Sequence, residues 1–178
     1  FYLNNLIKEK DFKSALRASR KINALDSNLL IQQTKQWIDN SNFNKFEDFF
    51  SCENEADILA EFFFLISNFL AVDKNFEKSN FYSNISNYLN PKFYFNLTHL
   101  ISNYSEMRNY KKMRNLLENF NKEDEIYYWY KLKKISQIIH NEKNLNESLF
   151  YIEAKFKKYS NPSLKIIYDM ANIYKRNE

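Results

Sequence analysis

The sequence predicts an all-α fold built from consecutive pairs of antiparallel helices, and three observations lead to this prediction. The chain of 178 residues contains no glycine and two prolines, whereas strand-rich folds depend on glycine for hairpin turns. Apolar residues recur at helical spacing, as in the stretch from Ile58 to Leu70. A short pattern also returns about every 34 residues, which is the length of a two-helix repeat.

The repeated pattern is an Asp or Asn, then an apolar or aromatic residue, two mostly polar residues and a packing residue. The apolar positions are separated by 31, 33, 34 and 35 residues. Asp and Asn favour the start of a helix because their side-chain oxygens accept hydrogen bonds from amides of its first turn. Each pattern therefore indicates the start of the second helix of a pair. The five patterns begin at Asp11, Asn42, Asn75, Asn109 and Asn144.

The expected organisation is one helical-repeat array that covers residues 1–178. Pro91 and Pro162 follow the second helices of two units, where proline is a normal stop signal. Phe1 falls inside a first helix, and residues 168–178 form a first helix that lacks its second, so we expect a segment of a longer array. The expected units are 1–28, 29–55, 56–91, 92–124 and 125–161, with a partial unit at 162–178.

This arrangement resembles the tetratricopeptide repeat, in its bacterial form. That family places an aromatic just inside the second helix of each pair, a small residue three positions later and a proline after the helix. The resemblance implies a right-handed superhelix (an α-solenoid) of about five antiparallel helix pairs, whose first helices line a concave groove. The matching positions are Phe12 with Ala15, Phe76 with Ser79 and Pro91, and Leu145 with Ser148 and Pro162.

Two kinds of departure from the family pattern affect the expected packing. Phe46 and Met113 occupy the small-residue position of two units, where looser or shifted packing is expected. The unit around residues 29–55 is short and degenerate. Leu3, Ser67, Ile101 and Ser136 stand where the family usually has Gly or Ala in the first helix.

The resemblance implies a non-catalytic scaffold that binds a protein or peptide partner in the concave groove. The groove positions come in pairs spaced i, i+4, which share one face of a helix. Asn and Lys at such places can hydrogen-bond an extended peptide or its carboxylate. The expected groove residues are Asn4, Lys8, Phe64, Asn68, Thr98, Ser102, Lys133, Gln137, Tyr168 and Asn172.

Catalysis, a cofactor and a metal are not expected. The P-loop, the dinucleotide fingerprint and the nucleophile elbow all need glycine. His99 and His140 lie more than a repeat apart, and neither has further ligands at helical spacing. The single cysteine, Cys52, forms no internal disulfide, which favours the cytoplasm and leaves a periplasm open as the alternative. The apolar run from Phe62 to Val72 is too short to span a membrane, and a buried helix is expected there.

The basic second half of the chain supplies an alternative function. Residues 1–90 contain ten basic and twelve acidic residues, whereas residues 91–178 contain sixteen and ten. Lysines that neutralise phosphates, beside tyrosines that stack on bases, are how single-stranded RNA is held. Solvation of an outer face explains these lysines better, so RNA binding is the second choice. A repeat arm of a larger enzyme or of a membrane-anchored protein is a further alternative. The residues concerned are Tyr127–Tyr130, Lys131, Lys133, Lys134, Lys155, Lys157 and Lys158.

Overall fold

The computed structural model describes residues 2–176. All regular secondary structure in this range is helical, and the range contains no strand. The all-α prediction is therefore confirmed. The main packing partners are consecutive helices, foremost α5 with α6 and α9 with α10. Phe1, which the sequence places inside a first helix, lies outside the described residues. The helices are α1 (Tyr2–Lys8), α2 (Phe12–Arg20), α3 (Leu29–Asp39), α4 (Asn44–Phe49), α5 (Glu55–Val72), α6 (Phe76–Leu89), α7 (Tyr94–Glu106), α8 (Tyr110–Leu117), α9 (Glu125–Glu142), α10 (Leu145–Phe156) and α11 (Leu164–Lys175).

The described residues form two compact units. The first contains the residues up to Ile22 together with Gln33–Leu117, and the second contains Asn23–Gln32 together with the residues from Glu118 onward. Within the second unit, the Lys165 ammonium donates to the carbonyl oxygen of Leu25 at 2.9 Å, across 140 positions of sequence. A repeat in a simple linear array contacts only its neighbours. This bond is therefore an addition to the nearest-neighbour packing that the sequence predicts.

The Asx residue of the repeated pattern caps the second helix in three of the five pairs. The Asp11 carboxylate accepts from the Ser14 amide at 3.0 Å, and the Asn144 side-chain oxygen accepts from the Glu147 amide at 2.9 Å. Asn109 makes the equivalent bond at the start of α8. These bonds satisfy amides that the first turn of a helix leaves without partners. The second helices begin at Phe12, Phe76, Tyr110 and Leu145, and α4 begins one residue after Phe43, without a side-chain cap.

The turn between paired helices adopts the same unusual backbone conformation in the first four pairs. One residue in each turn has a positive φ between 53° and 58°. At the first turn the Asp11 amide, one residue further on, donates to the Leu6 carbonyl at 2.9 Å, which closes a Schellman motif. Glycine normally occupies this left-handed position because it has no Cβ. This glycine-free chain places Lys10, Ser41, Lys74 and Arg108 there.

Reciprocal serine pairs join the helices of the third and fifth pairs. The Ser67 and Ser79 hydroxyls each donate to the other residue's backbone carbonyl at 2.8 Å. Ser136 and Ser148 repeat this geometry at 3.1 and 2.8 Å, and all four serines are buried. The small side chains thus let the two backbones approach closely. Met113, where looser packing is expected, is also fully buried.

The run from Phe62 to Val72 does not form a fully buried helix, so that expectation was wrong. The α5 residues that face the core are small, with Ala60 1% and Ser67 0% exposed. On the opposite side of the helix, Phe62 and Phe69 are 53% and 70% exposed. The apolar residues of α5 therefore surround the helix, and one side of it packs against α6.

Acid is expected to destabilise the first unit through His99. Burial lowers the pKa of this imidazole below its ordinary 6.5, although a hydrogen bond to the Ser67 backbone opposes the shift. The imidazole therefore stays neutral in the folded state at pH values where the unfolded chain binds a proton. The free energy of unfolding is at its full value above about pH 6.5 and decreases as the pH falls, because unfolding then takes up a proton. Urea denaturation of wild type and His99→Gln between pH 7.5 and 5.5 measures the effect. Parallel pH profiles for the two proteins would contradict it.

Candidate functional site

In the first unit, several predicted groove residues take part in internal packing. Phe64 lies edge-to-face with His99, with ring centroids 5.7 Å apart. The Asn68 amide donates to the Phe64 carbonyl at 2.8 Å, and the Thr98 side chain is 8% exposed. The Asn4 amide makes a long 3.5 Å bond to the Phe50 carbonyl. Lys8 and Ser102 are exposed to solvent.

In the second unit, one predicted groove residue, Lys133, binds the Asp169 carboxylate, and another, Tyr168, lies beside the second lysine of that carboxylate. The Lys133 ammonium lies 2.6 Å from Asp169, and Lys165 lies 3.0 Å from the same carboxylate and 5.6 Å from the centre of the Tyr168 ring. Burial opposes ionisation of Asp169, yet the bond and charge of Lys133, then those of Lys165, keep its pKa below the usual value. The indole of Trp129 donates to this carboxylate at 3.0 Å. Gln137 is exposed and Asn172 is half-buried.

A basic cleft lies beside α9 and α10 in the second unit. It encloses about 280 Å³ and carries three ammonium groups and one carboxylate. Two tyrosines and one leucine supply its aromatic and apolar surface. We name this site the lysine cleft. Its lining residues are Lys122, Glu125, Tyr128, Leu132, Lys155, Lys158 and Tyr159.

The Tyr159 hydroxyl is the most unusual polar group of the lysine cleft. Its oxygen is buried and makes no hydrogen bond within the described part of the chain. Burial, then the nearby charge of Glu125, raises the pKa of Tyr159 to about 12, so the phenol remains a hydrogen-bond donor at neutral pH. Burial, then the charge of Asp124, also raises the pKa of Glu125. A buried phenol without an acceptor is a costly arrangement.

Two lysines of the cleft also border a shallower hollow along α10. This hollow, of about 640 Å³, shares Lys155 and Lys158 with the lysine cleft. Phe150, at 76% exposure, provides apolar surface within it. Lys155 and Lys158 therefore lie between two adjoining depressions, which together suit an extended ligand better than a small compact one.

Sequence reasoning found part of this surface and missed the rest. It selected Tyr128, Lys155 and Lys158, because they belong to the basic and aromatic segments of the second half. It selected neither Glu125 nor Tyr159. The number of lysines was a usable signal, but no local pattern shows that a tyrosine after α10 packs beside the start of α9.

Many basic residues of the second half have partners within the chain. Lys131 forms an ion pair with Glu118 at 2.9 Å, and Lys143 forms one with Glu147. Other ammonium groups stand over tyrosine rings, which reduces the aromatic area open to a stacking base. These lysine and tyrosine pairs are Lys112 with Tyr104, Lys134 with Tyr130, Lys155 with Tyr151 and Lys165 with Tyr168.

The described residues were also compared with the requirements of a metal site and of a membrane-spanning helix. Over residues 2–176, no three His, Cys, Asp or Glu side chains gather where they could hold a metal ion. None of the helices in that range is both long and apolar enough to cross a bilayer. Cys52 is exposed and free. No protein-family model matches the chain, and no curated protein and no solved structure matches it either.

Proposed function

We propose that the protein is a non-catalytic scaffold of the tetratricopeptide kind, which binds an extended, acidic peptide segment of a protein partner. The consecutive helix pairs with their repeated turns and caps support the repeat architecture. In this proposal the first helices line a concave groove. The peptide binds at the lysine cleft, and the single observation that carries this choice is that three lysines, against a single carboxylate, line one cleft.

The lysine cleft has the donors that a carboxylate needs. Ammonium groups form charge-assisted hydrogen bonds with carboxylates, which are shorter and stronger than neutral ones. Leu132 and Tyr128 offer apolar contact for the peptide's aliphatic carbons. An acidic side chain or a chain-terminal carboxylate fits this combination of groups.

A peptide is preferred to RNA because of where the lysines and tyrosines lie. Stacking of bases needs open aromatic faces. Lys155 stands over the Tyr151 ring at 5.4 Å and Lys134 over the Tyr130 ring at 5.8 Å. The charges of Lys131 and Lys133 are already balanced by carboxylates of the chain. Three lysines, Lys122, Lys155 and Lys158, line one cleft.

Fluorescence anisotropy with three labelled probes tests the function. The probes are a ten-residue peptide rich in Asp and Glu, its Asn and Gln counterpart, and a ten-nucleotide oligouridine. We expect the acidic peptide to bind most tightly. Lys155→Ala with Lys158→Ala should weaken it by about tenfold or more, because bonds to charged groups contribute about 1.5–3 kcal/mol each.

A second double variant is the matched control for the loss of two charges. Lys157 and Lys175 are exposed lysines of the same unit that do not line the cleft. Replacing both with alanine should change the affinity for the acidic peptide less than threefold. Equal loss in the two double variants would show general charge attraction instead of a site. Tight oligouridine binding with a steep salt dependence would favour the RNA alternative.

A further inference from the structure

Large apolar side chains form an exposed stripe along α5. The stripe residues are spaced alternately by four and three positions, which is the heptad spacing of helices that pack together. Their exposure ranges from 46% to 81%, whereas the opposite side of α5 is buried against the core. We name these residues the α5 stripe: Ile58, Phe62, Leu65, Phe69 and Val72.

Neighbouring aromatic rings extend this apolar surface onto α6. Phe62 contacts Phe63 with ring centroids 5.7 Å apart, and Phe63 stacks with Tyr82 at 6.0 Å. Tyr82 in turn contacts Phe81 at 5.3 Å, and Phe81 is 61% exposed. Continuous ring contacts thus connect the stripe to the exposed side of the next helix. The apolar surface is one patch rather than scattered residues.

The size of this patch matches what a dimer needs. Leu59, at 47% exposure, lies beside the stripe. A large side chain has roughly 150–200 Å² of surface when it is fully exposed. The exposed fractions of the α5 stripe residues and Leu59 therefore amount to about 600 Å². A patch of this size is at the upper end for a monomer, whose largest patch covers about 300–600 Å². Two copies that pack their patches together would bury about 1,200 Å² of solvent-accessible surface, which is the lower bound for a stable interface.

We propose that the α5 stripe binds the same stripe of a second copy, with the two helices antiparallel around a twofold axis near Leu65. The stripe is nearly symmetric about that leucine. A phenylalanine lies on each side of it, at 62 and 69, and a β-branched residue lies at each end, Ile58 and Val72. A twofold interface requires one patch to complement itself. Reversing the stripe places each kind of residue opposite its own kind.

The charges at the two ends of α5 favour the antiparallel direction. Glu55, at the first position of the helix, is exposed. The exposed charged residues that follow the helix have both signs: Asp73, Lys74, Glu77 and Lys78. In an antiparallel dimer Glu55 meets the mixed charges of the partner subunit. A parallel dimer would instead set Glu55 beside the partner subunit's Glu55, and like charges are unfavourable there. Avoidance of like charge therefore adds direction to the apolar attraction.

Sedimentation equilibrium over about 1–200 µM tests the dimer. We expect wild type to be dimeric at the upper concentrations. Leu65→Glu should raise the dissociation constant by about a hundredfold or more, because it places two carboxylates in an apolar interface. Leu164→Glu is the matched control, since Leu164 is 71% exposed in the second unit, and should leave the constant unchanged. Helical circular dichroism must be the same in all three proteins, which Leu65 permits because it is 60% exposed.

Cysteine crosslinking tests the direction of pairing. In a Cys52→Ser background, Ile58→Cys protein mixed with Val72→Cys protein should form a mixed disulfide under mild oxidation. Ile58→Cys protein alone should form little disulfide. Abundant crosslinking of Ile58→Cys alone would overturn the antiparallel arrangement.

Two outcomes of sedimentation would overturn the dimer itself. They are a monomeric wild type at 200 µM and a dimer that Leu65→Glu leaves intact. Neither outcome affects peptide binding at the lysine cleft, which lies on other helices.

Discussion

Replacing Ser67 with leucine is expected to destabilise the first unit by about 2–6 kcal/mol. Ser67 is fully buried, and its hydroxyl lies 2.9 Å from that of Ser79 and 2.5 Å from that of Ser83. A leucine overfills this close helix contact, which costs about 1–3 kcal/mol. It also leaves the buried Ser83 hydroxyl without its hydrogen-bond partner, at a further cost of about 1–3 kcal/mol.

Urea denaturation followed by circular dichroism measures this loss, and two variants separate its causes. Ser67→Ala removes the hydrogen bonds without adding volume, so about 1–2 kcal/mol should be lost. Ser102→Leu makes the same chemical change at an exposed position of α7, where the expected effect is within about 0.5 kcal/mol. A loss below about 1 kcal/mol for Ser67→Leu would mean that α5 and α6 can separate easily at this point.

Glycine at three of the left-handed turn positions is expected to stabilise the first unit by about 3 kcal/mol in total. Lys10, Ser41 and Arg108 have φ values of 58°, 57° and 53°. A side chain with a Cβ costs about 1–2 kcal/mol in that region, and glycine avoids this cost at some loss of unfolded-state rigidity. The three turns belong to different helix pairs, so their effects should add. Lys74 is left unchanged in this variant because the dimer proposal uses it.

A turn residue with an ordinary conformation provides the control for the glycine variant. Lys21, directly after α2, is exposed and has φ −81° and ψ −12°, which any residue adopts easily. Lys21→Gly should therefore lower stability by about 0.5–1 kcal/mol, because glycine adds freedom to the unfolded chain alone. Thermal denaturation shows whether glycine raises the stability of the triple variant and lowers that of the control. A triple variant no more stable than wild type would show that the positive φ at these three positions has no free-energy cost.

The helix pairs were predictable because their signals are local. A capping residue such as Asp11 and its apolar follower Phe12 act within one turn of helix, so sequence alone locates the start of α2. The small residues Ser79 and Ser148 were selected for the same reason, and the structure places both in buried helix contacts. Such features depend on a few neighbours along the chain.

The exposed surfaces were harder to predict because they depend on which helices pack over them. Phe64 has the right register for a groove, yet it packs against His99 from the next pair. Phe69 belongs to a strongly apolar run that resembles a buried helix, yet it is 70% exposed. Composition counts apolar residues but does not show which side of a helix its neighbours cover. Tyr159 was missed for the same reason, since its surroundings come from distant parts of the sequence.

The bond from Lys165 to Leu25 has a consequence for the order of folding. Residues 23–32 are made before the segment Gln33–Leu117 of the first unit, but they belong to a unit whose other members begin at Glu118. Contacts between distant parts of a chain form slowly, because a long loop must close before they give any stability. The helix pairs of the first unit are contiguous from Gln33 to Leu117 and can fold while synthesis continues. The segment around Leu25 must wait until α11 has been made, and its docking is expected to be among the last steps in forming the native state.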